Sequence, residues 1–252
     1  MSKTTQNYYG NLCTEMYEIL HKTAPQDELE FYLSYAKKGD RILEPLCGSG
    51  RFLVPFMKRG FHISGMDLSA EMLSKLKQKA PDAEVIQADI LEYSSQEQYD
   101  YIFISSGSVS LFTDPASCRK VLDNMKRMLT PHGKFVFAVD TITNKCFNDP
   151  DYKISASVKT NEGFQLILKS KNYYDEQSQT QFSPGIYELY NDAGELLQSE
   201  HMDFQTHLYQ LGEMEQSLKE IGFTNVKTYS SFSKEVASGE KCDMFLFECS
   251  IA

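Results

Sequence analysis

The chain has 252 residues, 41% of them hydrophobic, and a formal net charge of −10. This length and apolar content suffice to bury one large core, or one domain with an elaboration. The acidic balance argues against nucleic-acid binding, because proteins that bind nucleic acid normally present a basic surface.

The six cysteines and five histidines show no pattern typical of a metal site. No Cys-x-x-Cys pair occurs and the histidines are scattered, so the sequence predicts no metal and reduced thiols. The first residues are polar, without the apolar core of a signal peptide, and no run approaches the ~18 apolar residues of a membrane helix. The sequence therefore predicts a soluble, cytoplasmic protein with no membrane partner.

Residues 1–40 predict two N-terminal helices. Apolar residues at helical spacing form one stripe before Pro25 and another after it, and proline suits the first turn of a helix. The first stripe comprises Tyr9, Leu12, Met16, Ile19 and Leu20, and the second comprises Leu29, Tyr32, Leu33 and Ala36. Both helices precede the segment that carries the chemical motifs.

Residues 41–52 predict a buried strand, a tight turn and the start of a helix. Gly48 and Gly50 permit positive φ and let the backbone lie against a flat, bulky ligand. Taken alone, this pattern is equally consistent with a turn that has no ligand. A dinucleotide fingerprint would need a third glycine three residues after Gly50, where the sequence has Leu53.

Acidic residues end the next two predicted strands. Asp67 is placed to accept hydrogen bonds from both hydroxyls of a ribose, or to cap the following helix, although Ser69 already offers a cap. Asp89 can accept from an exocyclic amine while Ile90 packs on an aromatic base. Because open α/β sheets bind ligands at the carboxyl ends of their strands, the glycine turn and the two acids together predict a nucleoside-type pocket.

The alternation of strands and helices continues to residue 140 and predicts a parallel sheet covered on both faces. A helix begins at Asp114-Pro115, a cap followed by a proline. Beyond residue 140, alternating stretches separated by glycine-containing turns predict an antiparallel insert of three or four strands in residues 141–208. A helix that stops at Gly222 and two strands then complete the core in residues 209–252.

The motifs of residues 41–140 resemble those of class I S-adenosylmethionine-dependent methyltransferases. The matching segments are E-P-L-C-G-S-G at residues 44–50, the acids Asp67 and Asp89, Y-D-Y-I-F-I-S-S-G-S-V at 99–109 and L-T-P-H-G-K-F-V-F at 129–137. Pro45-Leu46 and His132 depart from the commoner small residues. The resemblance implies one α/β domain: a Rossmann-like, doubly wound, seven-stranded and mostly parallel sheet, with an antiparallel β insert after the fifth strand.

The resemblance also implies S-adenosyl-L-methionine as cofactor and assigns positions to its parts. The glycine turn with Glu44 would hold the methionine portion, Asp67 the ribose, and Asp89 the adenine edge. Arg51 could meet the cofactor carboxylate or could be an exposed helix arginine. The full implied set is Tyr9, Glu44, Leu46, Gly48, Ser49, Gly50, Arg51, Asp67, Leu68, Met72, Asp89, Ile90 and Ser105.

The layout of the insert is similar to that of amino-sugar N-methyltransferases, in which an antiparallel layer covers the substrate and helps to form a dimer. This likeness suggests that Tyr8 or Tyr9 folds over the cofactor. Insert tyrosines could line a roof or could simply reflect the preference of strands for tyrosine; they are Tyr173, Tyr174 and Tyr187. His207 is a weak candidate for a base, since a lone histidine is more often structural.

The sequence is compatible with more than one biochemical function. The expected function is methyl transfer to a small-molecule acceptor at an amine nitrogen, with transfer to oxygen or a non-catalytic cofactor-binding protein as alternatives. A nicotinamide-dependent oxidoreductase is disfavoured by Leu53 and Asp89, and a nucleic-acid methyltransferase by the absence of an N-P-P-Y-type motif. The sequence requires no catalytic residue, because this in-line displacement depends mainly on positioning.

Overall fold

The computed structural model describes residues 6–95, 97–239 and 241–251. Its helices are α1 (Asn11–Leu20), α2 (Gln26–Leu33), α3 (Leu53–Lys58), α4 (Ala70–Lys79), α5 (Pro115–Met128) and α6 (Glu213–Ile221). Its strands are β1 (Arg41–Pro45), β2 (His62–Asp67), β3 (Glu84–Gln87), β4 (Tyr99–Ile104), β5 (Leu129–Asp140), β6 (Asp149–Lys159), β7 (Gln165–Asp175), β8 (Thr180–Phe182), β9 (Gly185–Tyr190), β10 (Leu196–Met202), β11 (Gln205–His207), β12 (Thr224–Tyr229) and β13 (Met244–Ser250). No helix among these residues is long and apolar enough to cross a membrane.

A seven-stranded sheet organises the first part of the fold, in the order β12-β13-β5-β4-β1-β2-β3. The strands β1 to β5 pair in parallel, whereas β13 is antiparallel to both of its neighbours. The strand order reverses at β1 and β4, which is the point where open sheets of this type form a ligand crevice. The predicted doubly wound, mostly parallel sheet is therefore confirmed.

Helices cover both faces of this sheet because the strands are apolar on both sides. On β5, Phe135, Phe137 and Val139 pack in the cluster that holds α5 and α6. Their neighbours Val136 and Ala138 pack on the opposite face, in the cluster that holds α2, α3 and α4. Side chains alternate across a strand, so a near-continuous apolar run indicates burial on both faces.

The predicted helix ends at Asp114, Ser69 and Gly222 are observed. The Asp114 carboxylate and the Ser69 hydroxyl each accept a hydrogen bond from a backbone amide in the first turn of the following helix. Gly222 ends α6 with a φ of 93°, which glycine adopts without steric cost. Helix α1, in contrast, begins only at Asn11, so Tyr9 precedes the helix instead of contributing to its stripe.

The insert contains six strands, so the prediction of three or four was wrong. Strand β7 lies between β6 and β9, and it also pairs with β8, which in turn pairs with β11. The count differs because the stretch 196–207 forms two strands and because β8 has only three residues. Helix α1 packs on this second sheet through Leu12 and Met16.

Candidate functional site

A cavity of about 360 Å³ lies at the carboxyl ends of β1, β2 and β4. Of these strands, β1 and β4 are the pair at which the chain order of the sheet reverses. Eleven of the thirteen residues predicted to bind the cofactor line it, namely Tyr9, Glu44, Leu46, Gly48, Arg51, Asp67, Leu68, Met72, Asp89, Ile90 and Ser105. The fold therefore brings together residues from five separate segments of the sequence.

Ser49 and Gly50, the other two predicted residues, do not line the cavity. The Ser49 hydroxyl donates a hydrogen bond to Glu18 on α1. Gly50 has a φ of +80°, and a Cβ atom there would lie 2.8 Å from Cγ of Leu76. These two residues shape the turn from behind, and their contact with the ligand stays a prediction.

Asp67 links the end of β2 to the glycine turn. Its Oδ2 atom accepts from the Gly48 amide at 2.8 Å, and its Oδ1 atom accepts from the Ser69 amide at 2.9 Å. Burial raises the pKa of this carboxyl, and the amide hydrogen bonds oppose the shift. A carboxylate offers about four acceptor positions, so two remain for the hydroxyls of a ribose. The helix cap comes from Ser69, whose hydroxyl accepts from the Met72 amide at 3.0 Å.

Asp89 and the apolar side chains near it form the second end of the cavity. The Asp89 Oδ1 atom accepts from the Leu91 amide at 2.8 Å, which fixes the carboxyl group at the cavity wall. Ile90 is buried beside it, whereas Leu68 is 46% exposed at the rim. A flat aromatic ring between such aliphatic side chains would remove apolar surface from water. This part of the cavity suits an adenine base.

The other end of the cavity holds buried polar atoms that lack partners. Glu44 is almost fully buried, which raises the pKa of its carboxyl group; Oε1 accepts from the Ser105 hydroxyl at 3.2 Å. Its Oε2 atom and Nε of Arg51 are buried with no hydrogen-bond partner in the described part of the chain. Since buried polar groups are normally paired, one orphaned acceptor and one orphaned donor fit the ammonium and carboxylate groups of an amino acid.

Arg51 is held at this site and is not an exposed helix arginine. Its Nη2 atom donates to the Ser106 hydroxyl at 2.5 Å. The guanidinium carbon also lies 5.7 Å from the centroid of the Tyr17 ring and 5.2 Å from that of Phe52. Both distances are within the range of a cation–π contact. The guanidinium group therefore has a defined position in the cavity wall.

The N-terminal segment forms a further wall that the sequence only partly predicted. The Asn7 amide group donates to the carbonyl oxygens of Leu111 at 2.8 Å and Gln205 at 2.9 Å. The Tyr8 hydroxyl donates to Oε2 of Glu71 on α4 at 2.8 Å. Burial and this carboxylate raise the pKa of Tyr8 to about 12. The segment thus connects α4 to the second sheet along the cavity, and no local sequence pattern marks Asn7 for this role.

The three insert tyrosines do not line the cavity, so this structure favours the alternative that they reflect the preference of strands for tyrosine. Tyr173 is 41% exposed and its ring stacks on Phe182 with 4.7 Å between the centroids. Tyr174 and Tyr187 are buried outside the cavity. The insert acts on the site indirectly, because it anchors the N-terminal segment instead of covering the cavity itself.

His207 also lies outside the cavity, and its contacts fit the alternative of a structural histidine, while a role as a base stays a prediction. Its Nε2 atom is 2.6 Å from Oε1 of Glu213, and its Nδ1 atom is 3.1 Å from the Ser178 carbonyl oxygen. The ring also packs edge-to-face on Tyr209. These contacts join β11 to α6 and leave neither ring nitrogen facing a ligand.

No group of three or more His, Cys, Asp or Glu side chains is arranged to hold a metal ion within residues 6–95, 97–239 and 241–251. The six cysteines are unpaired. Cys47 lies in the glycine turn, where burial raises the pKa of its thiol. Its sulfur is therefore a packing atom in the turn and not a reactive thiolate.

Comparison with known proteins agrees with this geometry. The family described as "Methyltransferase domain" matches residues 42–133, the segment that contains the glycine turn and both acids. YqeM of Bacillus subtilis, which is named as a methyltransferase, is 29% identical over 153 residues, covering 56% of this chain and 62% of that protein. A protein of a Geobacillus species, also named as a methyltransferase, is 25% identical over 88% of this chain and 92% of its own length.

Solved structures with the same fold span almost the whole chain. An S-adenosylmethionine-dependent methyltransferase from Clostridium acetobutylicum aligns with a TM-score of 0.75 at 15% identity, over 94% of this chain and 96% of that one. The sugar N-methyltransferase KedS8 from a Streptoalloteichus species aligns with a TM-score of 0.72 at 17% identity, over 100% and 99%. Residues 42–133 therefore match a methyltransferase-domain family, and the chain as a whole shares its fold with solved S-adenosylmethionine-dependent methyltransferases.

Proposed function

We propose that this methyltransferase acts on the amine nitrogen of a small-molecule acceptor. The observation that carries the proposal is the second sheet, which is inserted after β5 and anchors the wall of the cofactor cavity. The fold of a sugar N-methyltransferase follows that of this chain over its full length, including this sheet. The acidic lining of the cavity, with Glu44, Asp67 and Asp89, also favours ligands that carry positive charge.

We place the cofactor with its adenosyl group between Asp67 and Asp89 and with its amino-acid end between Glu44 and Arg51. Asp67 would accept from the ribose hydroxyls, while Ile90 and Leu68 would pack on the base. The orphaned Oε2 atom of Glu44 supports an ammonium group at the other end. This orientation directs the middle of the cofactor toward Ser105, at the end of β4.

Bound S-adenosylmethionine supplies a methyl group on a sulfonium, and its leaving thioether is neutral. The protein therefore contributes mainly by holding the acceptor in line and by excluding water. An amine must be neutral to attack, so a nearby carboxylate or a local fall in the pKa of the amine assists the reaction. Tyr9 and Tyr17, whose rings meet edge-to-face at 6.0 Å, form an apolar wall that limits access of water.

A methyl-transfer screen tests the proposed acceptor class. The enzyme is incubated with tritiated-methyl S-adenosylmethionine and a panel of amines, amino sugars and the corresponding hydroxylated compounds. We expect label in the amines and little in the matched alcohols. Label in the alcohols alone would favour O-methylation, and tight cofactor binding without transfer to any compound would favour a non-catalytic role.

We further propose that the second sheet forms a contact between two copies of the chain. Strand β6 is an edge strand that pairs only with β7, and most of its residues are exposed. Tyr152 and Ile154 on this strand are 43% and 62% exposed, so two large apolar side chains stand on an edge that is open to pairing. Light scattering should give a dimer mass for the wild type and a lower mass for Ile154→Lys; a monomeric wild type would refute the contact.

A further inference from the structure

Glu28 of α2 is a buried carboxylate that does not line the cavity but contacts a residue that does. It is 4% exposed, and its Oε1 atom accepts from the Ser106 backbone amide at 2.8 Å and from the Ser106 hydroxyl at 3.2 Å. Burial raises the pKa of this carboxyl group, and the Ser106 hydrogen bonds and Arg51 oppose that shift. A buried carboxylate costs free energy unless it is hydrogen-bonded, and here both bonds go to the same loop residue.

The loop that Glu28 holds has an uncommon backbone. Ser106 has a φ of +56° and Gly107 a φ of +69°. A positive φ is unfavourable for serine, so the surrounding contacts must stabilise it. The hydrogen bond from the Ser106 amide to Glu28 is such a contact. This turn brings Ser105 and Ser106 to the cavity wall at the end of β4.

The Ser106 hydroxyl connects Glu28 to Arg51. It donates to Glu28 and accepts from Nη2 of Arg51 at 2.5 Å. Arg51 is the only lysine or arginine among the cavity-lining residues in the described ranges, and its Nε atom is buried without a partner. The orientation of this guanidinium group, and of its free donor, therefore depends on Ser106 and through it on Glu28.

We propose that Glu28 is a positioning residue for the amino-acid end of the cofactor. It holds the Ser106 turn and, through the Ser106 hydroxyl, directs the guanidinium group of Arg51 toward the cofactor carboxylate. The adenosyl end of the cavity shares none of these contacts. The inference rests on the cofactor orientation proposed above and is independent of the acceptor.

Calorimetry with two probes tests this role. S-adenosylhomocysteine carries the amino-acid end, whereas 5′-methylthioadenosine keeps the adenosine and the thioether but lacks that end. Glu28→Ala should weaken S-adenosylhomocysteine binding roughly 10- to 100-fold, the loss typical of a charge-assisted contact. Binding of 5′-methylthioadenosine should stay within about 2-fold, because Asp67 and Asp89 are untouched. Glu28→Gln should lose less, because its amide oxygen can still accept from the Ser106 amide.

Glu30→Ala is the matched control, since Glu30 lies on the same helix and its side chain is exposed. It should leave the affinity for both probes unchanged. Equal weakening of both probes by Glu28→Ala would reduce Glu28 to a merely structural residue and would overturn the proposal, as would unchanged binding of S-adenosylhomocysteine. If Glu28→Ala does not fold, the isosteric Glu28→Gln decides by the same comparison. A wild type that binds neither probe would instead refute the cofactor placement.

Discussion

The backbone amide of Gly48 donates a 2.8 Å hydrogen bond to Oδ2 of Asp67. This bond joins the turn after β1 to the end of β2, so one carboxylate both braces the glycine turn and faces the cavity. The two motif residues are 19 positions apart in sequence. Their contact explains why the acid must stand at the last position of its strand.

Asp67→Ala should weaken binding of S-adenosylhomocysteine by about 1–3 kcal/mol, the range for a lost charge-assisted acceptor. The substitution removes the proposed ribose contacts and also the brace on Gly48. Calorimetry measures the change directly. Asp82→Ala, an exposed aspartate outside the cavity, is the control and should bind the ligand as the wild type does. Unchanged affinity of Asp67→Ala would remove this carboxylate from the site.

Gly50→Ala should destabilise the fold more than Gly39→Ala. Both glycines have positive φ, so each substitution incurs a backbone cost of roughly 1–2 kcal/mol. A Cβ atom at Gly39 meets nothing within 4 Å, whereas one at Gly50 lies 2.8 Å from Cγ of Leu76. Overpacking adds about 1–3 kcal/mol. Urea denaturation of the two variants compares their free energies of unfolding. Equal denaturation midpoints would show that the Leu76 side chain moves aside without cost.

Asn7→Ala should weaken cofactor binding because it removes hydrogen bonds that hold the N-terminal segment in the cavity wall. The side chain bonds Leu111 and the backbone of Gln205, and its loss leaves the segment held by the backbone bond from Asn7 to Asp203, by Tyr8 and by the Ser69 hydroxyl that donates to the Tyr9 carbonyl oxygen. A faster dissociation of S-adenosylhomocysteine in stopped-flow measurements is the expected result. Asn191→Ala is matched, because Asn191 makes a comparable set of side-chain hydrogen bonds in the turn between β9 and β10. If both variants release the ligand equally fast, the wall does not retain it.

Asp140 should make stability depend on pH. Burial raises the pKa of its carboxyl group from 3.8 to about 7. Between these values the folded chain keeps a proton that the unfolded chain has lost, so this group lowers the free energy of unfolding as pH rises through that window. Asp140→Asn, which cannot ionise, should remove this slope.

Urea denaturation at about pH 5 and about pH 8 measures the effect. The stability of Asp140→Asn relative to the wild type should be greater at the higher pH, because the wild type then carries a buried charge or must be reorganised to hydrate it. Asp82→Asn serves as the exposed control and should show no such difference. A constant difference between Asp140→Asn and the wild type at the two pH values would contradict the expectation.

Features set by short sequence separation were predictable. The caps at Ser69 and Asp114 act on amides three residues away, and the stop at Gly222 follows from its own backbone. Periodicity also identified the strands of the first sheet, since their apolar runs reflect burial on both faces. These patterns indicate whether each face of a strand is buried. The doubly wound sheet could be predicted from them because its strands are buried on both faces.

Features set by distant partners were not predictable. Helix α1 begins at Asn11 because the Glu200 carboxylate accepts from the amides of Leu12 and Cys13, which no nearby residue indicates. Similarly, the alternation of polar and apolar residues in the insert predicted that strands form, but it did not predict how many there are or which of them pair. His207, which stands near the junction between the insert and the rest of the core, bonds Glu213, a contact that the sequence did not indicate. The close approach of Leu76 to Gly50, which leaves no room for a Cβ atom, is likewise visible only in the folded structure.

The pairing of Asn7 with Gln205 has a consequence for how the molecule assembles. These residues are 198 positions apart, and the backbone N–H of Asn7 also donates a hydrogen bond to the carbonyl oxygen of Asp203. Contacts between residues this far apart in sequence form late in folding. Closing such a long loop costs conformational entropy, which structure already formed must offset. A nascent chain therefore completes its parallel strands while the binding crevice is still open on one side, and it gains a closed crevice only after the last strand of the insert has left the ribosome.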